Sequence, residues 1–347
     1  MSQDPNSTHP GSAPQVSPEP IFQMVYGLMP AQLLKTAVSI EAFSHIAAGK
    51  QTVGALAEAT GAVPRNLEIL LNALTALQLL HKPDASRYAL TPVAETFLVK
   101  SSPAYMGDFT FQVDSLWSMW GQVEQTVRQG MPPMQLQDLP DLPELFKKMV
   151  PQLFPITFPN AKALAGRLGV GRSWKPSRLL DVAAGTSAWG IAFAQADPNL
   201  LVTAWDFEQV LEVTRDYTSR LGVAAQYDYL AGDIWQTSPI SATYDAAILG
   251  HICHGYGPEQ NRLLLQRMHQ ALTPGGRLLI ADFFPDEQRA QAVFPLLFAA
   301  NMMAGTPEGN TYTLSEYETW LGESGFSQVE LLELPPFPGG IISAVRE

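Results

Sequence analysis

Hydrophobic positions recur at helical spacing through the first third of the chain. Apolar residues over Thr36–Ala48 and over Thr52–Thr60 predict two helices. Pro64–Leu80 predicts a longer third helix, because proline suits a helix start and the leucines that follow share one face. Leu79–Leu90 then predicts a small hairpin. This order of three helices and a hairpin is that of a winged helix.

After residue 177 the pattern changes to apolar runs of strand length that alternate with amphipathic segments. Such alternation predicts a parallel sheet with helices on both faces. The predicted strands are Arg178–Ala183, Leu200–Trp205, Ala225–Ala231, Tyr244–Gly250, Gly276–Phe283, Val329–Leu334 and Ile341–Val345. The last two are separated only by the turn PPFPGG, which suits an antiparallel hairpin and is too short for a crossover.

These patterns divide the chain into four regions. Residues 1–20 are rich in proline and serine and predict a disordered tail. Residues 21–100 hold the winged helix, and residues 176–347 hold the sheet. Between them, residues 101–175 predict a helical linker that its prolines break into short pieces, and its aromatic residues could either roof a pocket or form core.

Composition narrows the classes of function. A net charge of -12 disfavours binding to nucleic acid or to anionic membranes. The predicted third helix carries only Arg65 and Glu68 as charges, so it favours packing over reading DNA. The single cysteine, Cys253, excludes an internal disulfide and indicates a cytoplasmic protein. No apolar run is long enough to predict a membrane span.

The turn after the first strand of the sheet, from Asp181 to Gly190, carries the first candidate chemistry. Its small residues would let a ligand approach the backbone, and the helix behind it would offer free N–H groups. It is not a GxGxxG fingerprint, because Ala184 stands where glycine is expected and Trp189 would crowd a pyrophosphate. A nicotinamide-dependent oxidoreductase is therefore disfavoured.

Two further acids follow the next two strands. Asp206 ends the second strand, where a carboxylate can accept both hydroxyls of a ribose. Asp233 follows the third strand, and Ile234 beside it could pack on an adenine ring while the acid reads the amino group. Because parallel strands end at one edge of the sheet, we expect the three acids to lie together at a ligand site.

This series, with Leu272–Gly276 (LTPGG) before the fifth strand, resembles class I S-adenosylmethionine-dependent methyltransferases. With the winged helix in front, residues 22–347 resemble the plant-type O-methyltransferase family, which includes hydroxyindole and caffeate methyltransferases and bacterial relatives. The resemblance implies an α/β, Rossmann-like, seven-stranded and mostly parallel sheet with a terminal antiparallel hairpin, plus an N-terminal all-α winged-helix domain. It also implies S-adenosyl-L-methionine as cofactor, a homodimer formed through the N-terminal domain, and no metal.

The resemblance also assigns roles to residues of this chain. His254 matches the catalytic histidine, and a neutral imidazole can take the proton of a phenol as its oxygen is methylated. Asp282 matches an acid that orients this histidine. The expected cofactor-binding residues are Asp181, Ala183, Gly185, Asp206, Phe207, Asp233, Ile234, Gly250 and His251. The expected residues of the acceptor pocket are Trp117, Phe154, Phe158, Phe298, Asn301 and Met302.

Departures from the family pattern keep alternatives open. Gly255 stands where an acid usually follows the histidine, Thr311 stands near the place of a second orienting acid, and Gly250 replaces a lysine. His251 would either touch the cofactor or assist His254. The alternatives are a C- or N-methyltransferase of the same fold, a winged-helix regulator that senses the cofactor, and a protein that binds cofactor without turnover.

Overall fold

We describe a computed structural model of the chain, which covers residues 16–135, 139, 141–237, 243–334 and 339–347. These residues form two compact units, one ending at Val113 and the other running from Asp114 to Glu347. Most of the predicted tail lies outside the described residues, and the first helix begins at Glu19, inside the tail's predicted end. Among the described residues, no helix has the length and apolar character that a bilayer crossing requires.

The first unit has the predicted order of helices followed by a hairpin. Leu56, Leu71 and Leu74 are fully buried in its core, which explains the spacing of the leucines. Its elements are α1 (Glu19–Tyr26), α2 (Leu28–Ser39), α3 (Ala42–Ala47), α4 (Val53–Thr60), α5 (Pro64–Ala76), β1 (Leu80–Asp84), β2 (Arg87–Leu90) and α6 (Pro92–Leu98).

One helix prediction in this unit was wrong. The segment expected as a single helix over Thr36–Ala48 is divided between α2 and α3. The helix is interrupted at Ile40 and Glu41, and Glu41 adopts a left-handed backbone conformation with φ of 53°. A residue in that conformation interrupts the helical hydrogen bonds, although the apolar spacing continues across the break.

The second unit is built on a seven-stranded sheet of order β5-β4-β3-β6-β7-β9-β8. Pairing is parallel from β5 to β7, and the last two strands pair antiparallel, as predicted. The strands are β3 (Arg178–Val182), β4 (Leu201–Asp206), β5 (Tyr227–Ala231), β6 (Tyr244–Gly250), β7 (Leu272–Asp282), β8 (Phe326–Glu333) and β9 (Gly340–Arg346). Part of the predicted PPFPGG turn lies outside the described residues.

The helices from residue 112 onward are α7 (Gln112–Trp120), α8 (Val123–Gln129), α9 (Leu142–Leu168), α10 (Ala188–Ala196), α11 (Glu208–Arg220), α12 (Pro258–Ala271), α13 (Val293–Gly305) and α14 (Leu314–Glu323). Helices α9, α10 and α11 contribute to the apolar cluster on one face of the sheet, and α12 and α14 contribute to the cluster on the other. The strand order reverses between β3 and β6, and the crevice at such a reversal is where open α/β sheets bind ligands.

The prolines do not break the linker as expected. Helix α9 runs for 27 residues through Pro151, Pro155 and Pro159. Each proline removes one backbone hydrogen bond, but the helix packs against α10 and α11 and buries Ala161 and Leu164. Tertiary packing therefore maintains a helix that its local sequence disfavours.

Candidate active site at the carboxyl edge of the sheet

The turn after β3 (residues 183–187) is the first wall of the site. Ala183, Gly185 and Ser187 all have positive φ values, of 51°, 58° and 56°. At Gly185 a Cβ atom would lie 3.2 Å from Cγ1 of Val150 in α9, so this position has little room for a side chain. A ligand at this turn would therefore meet the backbone directly.

Asp181 lies beneath this turn and braces it. Its side chain is 1% exposed, and Oδ2 accepts hydrogen bonds from the Ser187 hydroxyl at 2.6 Å and from the Gly190 N–H at 3.2 Å. Burial raises the pKa of Asp181 to about 7. Asp181 thus holds the turn in shape and offers little surface to a ligand.

Asp206 joins the turn after β3 to the end of β4. Its Oδ2 accepts the Gly185 N–H and its Oδ1 accepts the Phe207 N–H, both at 2.8 Å. A carboxylate has about four lone-pair sites, so each oxygen can still accept one more hydrogen bond. Burial raises the pKa of Asp206 to about 6. These acceptors fit the two hydroxyls of a ribose, which the cofactor S-adenosylmethionine carries.

The end of β5 adds an aromatic wall that the sequence analysis missed. Asp233 Oδ1 accepts the Trp235 N–H at 2.8 Å, and Ile234 is buried. The ring of Trp235 meets the ring of Tyr256 edge-on, with centroids 4.9 Å apart. Burial raises the pKa of Tyr256, and its ring lies against Trp235, whose backbone is bonded to Asp233. Two aromatic rings beside an acid fit an adenine.

At the end of β6, Gly250 stands where the family has a lysine, and Trp189 leaves no room there for a side chain. A Cβ atom on Gly250 would lie 2.7 Å from Cδ1 and Nε1 of Trp189, so the indole fills the space of a side chain. Trp189 is 4% exposed, and its N–H has no partner among the described residues. His251 follows with φ of 58°, its ring 6.2 Å from that of Trp189. Burial lowers the pKa of His251 to about 4, so this ring is neutral.

His254 and Asp282 come together from the ends of β6 and β7. His254 Nδ1 lies 2.7 Å from Asp282 Oδ1, and Asp282 Oδ2 accepts the His254 backbone N–H at 3.1 Å. Burial alone would raise the pKa of Asp282, but the charge and the hydrogen bond of His254 outweigh it, so this pKa lies below its usual value. An ionised Asp282 can only accept, so Nδ1 is the donor in this hydrogen bond, and in a neutral ring the lone pair then lies on Nε2.

These two residues and His251 also have the side chains of a metal site. The ligand atoms of His251, His254 and Asp282 lie within 4.8 Å of one another, and imidazole and carboxylate are groups that Zn²⁺ accepts. A metal ion would have to replace the hydrogen bond between Nδ1 and Oδ1. We therefore interpret the group as an acid–base pair with a neutral neighbour.

Where a second orienting acid was expected, Thr311 is buried and its side chain is hydrogen-bonded to backbone. Thr311 is 1% exposed, and its hydroxyl donates to the carbonyl of Pro295 at 3.1 Å. Its neighbour Asn310 donates its N–H to the carbonyl of His254 at 2.9 Å. This loop supports the His254 backbone, and Asp282 is the acid that the His254 ring contacts within the described ranges.

The six expected pocket residues separate into distinct places. Phe298 packs on the His254 ring at 4.8 Å, and Asn301 accepts a hydrogen bond from Trp120 Nε1 at 3.0 Å. Phe154 and Phe158 stack on each other and pack against the core, and Phe154 contacts Tyr217 of α11. The remaining two residues are the 58% exposed Trp117 and Met302, whose carbonyl accepts from Thr306.

Two aromatic residues that the sequence analysis missed complete the surroundings of His254. Phe283 lies 4.5 Å from Phe298 and 4.9 Å from Phe294, as ring centroids. Phe283 directly follows Asp282, which was the available signal in the sequence. A separate cavity of about 540 Å³ lies between α8 and α13, and none of the six expected pocket residues lines it.

Comparison with known proteins agrees with this geometry. The family model of the O-methyltransferase domain matches residues 175–327, and that of the O-methyltransferase dimerisation domain matches residues 22–100. The chain is 30% identical to the 3-hydroxy-5-methyl-1-naphthoate 3-O-methyltransferase of Streptomyces sahachiroi, over 95% of each chain. It is 29% identical to the tetracenomycin polyketide synthesis 8-O-methyl transferase of Streptomyces glaucescens, over 90% of this chain and 92% of that protein.

A solved structure shows the same fold. Human N-acetylserotonin methyltransferase, in complex with S-adenosylmethionine, matches with a TM-score of 0.83 at 21% identity. The match covers 97% of this chain and 99% of the human chain. The predicted fold class is therefore confirmed.

The buried Asp181 leads to a prediction on stability and pH. Its pKa is raised in the folded state, so the folded protein binds this proton more tightly, and that stabilisation is lost as pH rises from about 4 to about 7. We expect the wild type to lose more than about 1 kcal/mol relative to Asp181→Asn over this range, because one pKa unit corresponds to about 1.4 kcal/mol. Urea unfolding at several pH values measures the difference. Asp228→Asn, on the exposed side of β5, controls for the loss of a carboxylate; parallel pH curves for the wild type and Asp181→Asn would contradict the prediction.

Proposed function

The chain belongs to the S-adenosylmethionine-dependent O-methyltransferases that carry an N-terminal dimerisation domain, and on this premise we propose that His254 is the general base, oriented by Asp282. The observation that carries the proposal is the 2.7 Å contact between His254 Nδ1 and Asp282 Oδ1 at the carboxyl edge of the sheet. This contact leaves Nε2 as the atom that takes a proton from the acceptor hydroxyl.

We propose that the strand-end residues hold the cofactor. Asp206 would accept the ribose hydroxyls, the turn after β3 would approach the amino-acid part, and Asp233, Ile234 and Tyr256 would enclose the adenine. The bound cofactor supplies a methyl group on a positively charged sulfur. The protein then has to exclude water, align the acceptor oxygen and remove its proton as that oxygen gains the methyl group.

Asp282 has a second task in this reaction. When His254 takes the proton, its ring becomes a cation in a partly buried place. The ionised Asp282 at 2.7 Å stabilises that cation, and its hydrogen bond keeps the ring from turning. This single acid replaces the pair that is typical of the family, since Thr311 holds the loop instead.

We propose an aromatic acceptor with a phenolic hydroxyl. The support is the cluster of Phe283, Phe294 and Phe298 beside His254, because aromatic rings offer apolar faces to a flat molecule. The names of the two Streptomyces relatives refer to a naphthoate and to the tetracenomycin polyketide. Both agree with an acceptor of fused aromatic rings.

The partners are proposed on the same grounds. Helix α1 buries no residue, and the exposed apolar side chains of α1 and its neighbour α2 include Phe22, Met24 and Val25. We propose that this face pairs with a second copy of the chain, as the dimerisation-domain match suggests. The net charge of -12 and the weakly charged α5 support a protein that binds no nucleic acid, and the single cysteine supports a cytoplasmic location.

The cofactor site is tested by calorimetric titration with S-adenosylhomocysteine, with NADH as the control ligand. We expect micromolar binding of S-adenosylhomocysteine alone. Asp206→Ala should weaken that binding at least tenfold, because two ribose hydroxyls lose their acceptor. Asp228→Ala, an exposed acid on the neighbouring strand, should bind as the wild type does. Equal affinity for the Asp206 variant would remove its ribose role.

The base is tested by His254→Ala with a phenolic acceptor. Turnover should fall by about 10²- to 10⁴-fold, the usual contribution of a positioned base, while affinity for S-adenosylhomocysteine stays within about twofold. Asp282→Asn should also lower turnover, because an amide can donate to Nδ1 and favour the wrong tautomer. The matched control is His81→Ala, on the exposed hairpin of the first unit. Wild-type turnover by His254→Ala would exclude it as the base.

The dimer is tested by placing charges on α1. Met24→Asp with Val25→Asp should convert the dimer to a monomer in sedimentation experiments, because charged side chains in an apolar interface cannot be solvated. Leu263→Asp, on an exposed position of α12, should remain dimeric. A dimer in both variants would place the interface elsewhere.

A further inference from the structure

Three polar groups meet beneath the turn after β3, and the mechanism uses none of them. A Cβ atom on Gly190 would lie 2.6 Å from Ser187 Oγ, 2.7 Å from Tyr227 Oη and 2.8 Å from Asp181 Oδ2. The absence of a side chain at Gly190 therefore gives these three atoms room to meet. Asp181 and Ser187 are fully buried and Tyr227 is 9% exposed, so hydrogen bonds among them are protected from water.

The hydrogen bonds form a chain with a defined direction. Ser187 Oγ lies 2.6 Å from Asp181 Oδ2 and 3.0 Å from Tyr227 Oη. Ser187 has one hydroxyl proton, which it donates to the carboxylate of Asp181. When Asp181 is ionised, Tyr227 is therefore the donor to Ser187 Oγ. The phenol at the start of β5 thereby controls a serine forty positions earlier in the sequence.

Ser187 needs such support because its backbone is strained. It has φ of 56° without being glycine, a conformation in which the Cβ atom of an L-residue lies too close to the following carbonyl oxygen. Ser187 is also the N-cap residue of α10, yet its side chain caps no backbone N–H of that helix, since its hydroxyl is bonded to Asp181. A strained residue persists where its surroundings over-determine it, and here those surroundings are the carboxyl of Asp181 and the phenol of Tyr227.

The hydrogen bonds with Asp206 and Thr214 hold the turn at Gly185, not at Ser187. Asp206 accepts the N–H of Gly185, and the Thr214 hydroxyl donates to the carbonyl of Gly185 at 2.7 Å. The Ser187 end is joined to Asp181 and Tyr227 through side chains. Tyr227 is thus the partner from outside the β3–α10 segment that secures this end of the turn.

We propose that Tyr227 is a positioning residue for cofactor binding, which acts through Ser187 to hold the turn after β3 in its binding conformation. The proposal rests on the proposed role of this turn in the cofactor site. Tyr227 itself is buried behind the turn and is expected to make no contact with the cofactor.

The test compares two tyrosines of the same strand. Tyr227→Phe removes only the phenolic oxygen and should weaken binding of S-adenosylhomocysteine by about 3- to 10-fold, the value of one net hydrogen bond. The KM for S-adenosylmethionine should rise by the same factor, with kcat at saturating cofactor changed less than about twofold. Tyr229→Phe is the matched control, because its phenol pairs with Thr218 of α11 at 2.8 Å and not with the turn. Its affinity should equal that of the wild type.

A double-mutant cycle separates positioning from general stability. Ser187→Ala removes the hydroxyl together with its bonds to both Asp181 and Tyr227, so it should weaken binding at least as much as Tyr227→Phe does. Adding Tyr227→Phe to Ser187→Ala should then cost no further affinity, because the partner of the phenol is already gone. Additive losses, or wild-type affinity in Tyr227→Phe, would overturn the proposal. If the wild type itself binds no S-adenosylhomocysteine, the cofactor site fails instead, and this outcome is distinguishable from the others.

Discussion

Hydrogen bonds from backbone N–H groups to carboxylates at the strand ends hold in place the segments that follow three of the parallel strands. Asp181 accepts the N–H of Gly190, Asp206 accepts that of Gly185, and Asp282 accepts that of His254. Each acid lies at or near the end of a parallel strand and closes a nearby loop. Charged acceptors make stronger hydrogen bonds than neutral ones, so these carboxylates can fix irregular backbone that has no ladder partners.

The surroundings of these three acids differ, so their pKa values and their roles differ as well. Burial raises the pKa values of Asp181 and Asp206, to about 7 and about 6. Asp282 is as buried as Asp181, yet the charge and hydrogen bond of His254 keep its pKa below the usual value. One carboxylate is therefore paired with a group that can become a cation. The other two organise backbone, and of these Asp206 can also accept hydrogen bonds from a neutral ligand.

Where this chain departs from the family pattern, contacts from other parts of the fold fill the space or support the backbone. Gly250 lacks the expected lysine, and the indole of Trp189 occupies the space of a side chain there. Thr311 replaces an acid and ties its loop to Pro295, while the neighbouring Asn310 supports the His254 backbone. A substitution at this edge is thus accommodated by contacts from another strand or helix, since the loops share one packed space.

The sequence by itself determined the strands, their parallel arrangement and the acids at their ends, because alternating apolar runs and strand-to-helix turns are local patterns. The resemblance of its motifs to the O-methyltransferase family singled out His254 and Asp282, each of which lies at or just after the end of a predicted strand. Only the tertiary structure decided that α9 continues through Pro151, Pro155 and Pro159. The same holds for the packing of Trp189 against Gly250 and for the contact between Tyr227 and Ser187. These facts depend on contacts between segments far apart in the chain. Local periodicity carries no information on which distant side chains will fill the same space, and packing alone settles that.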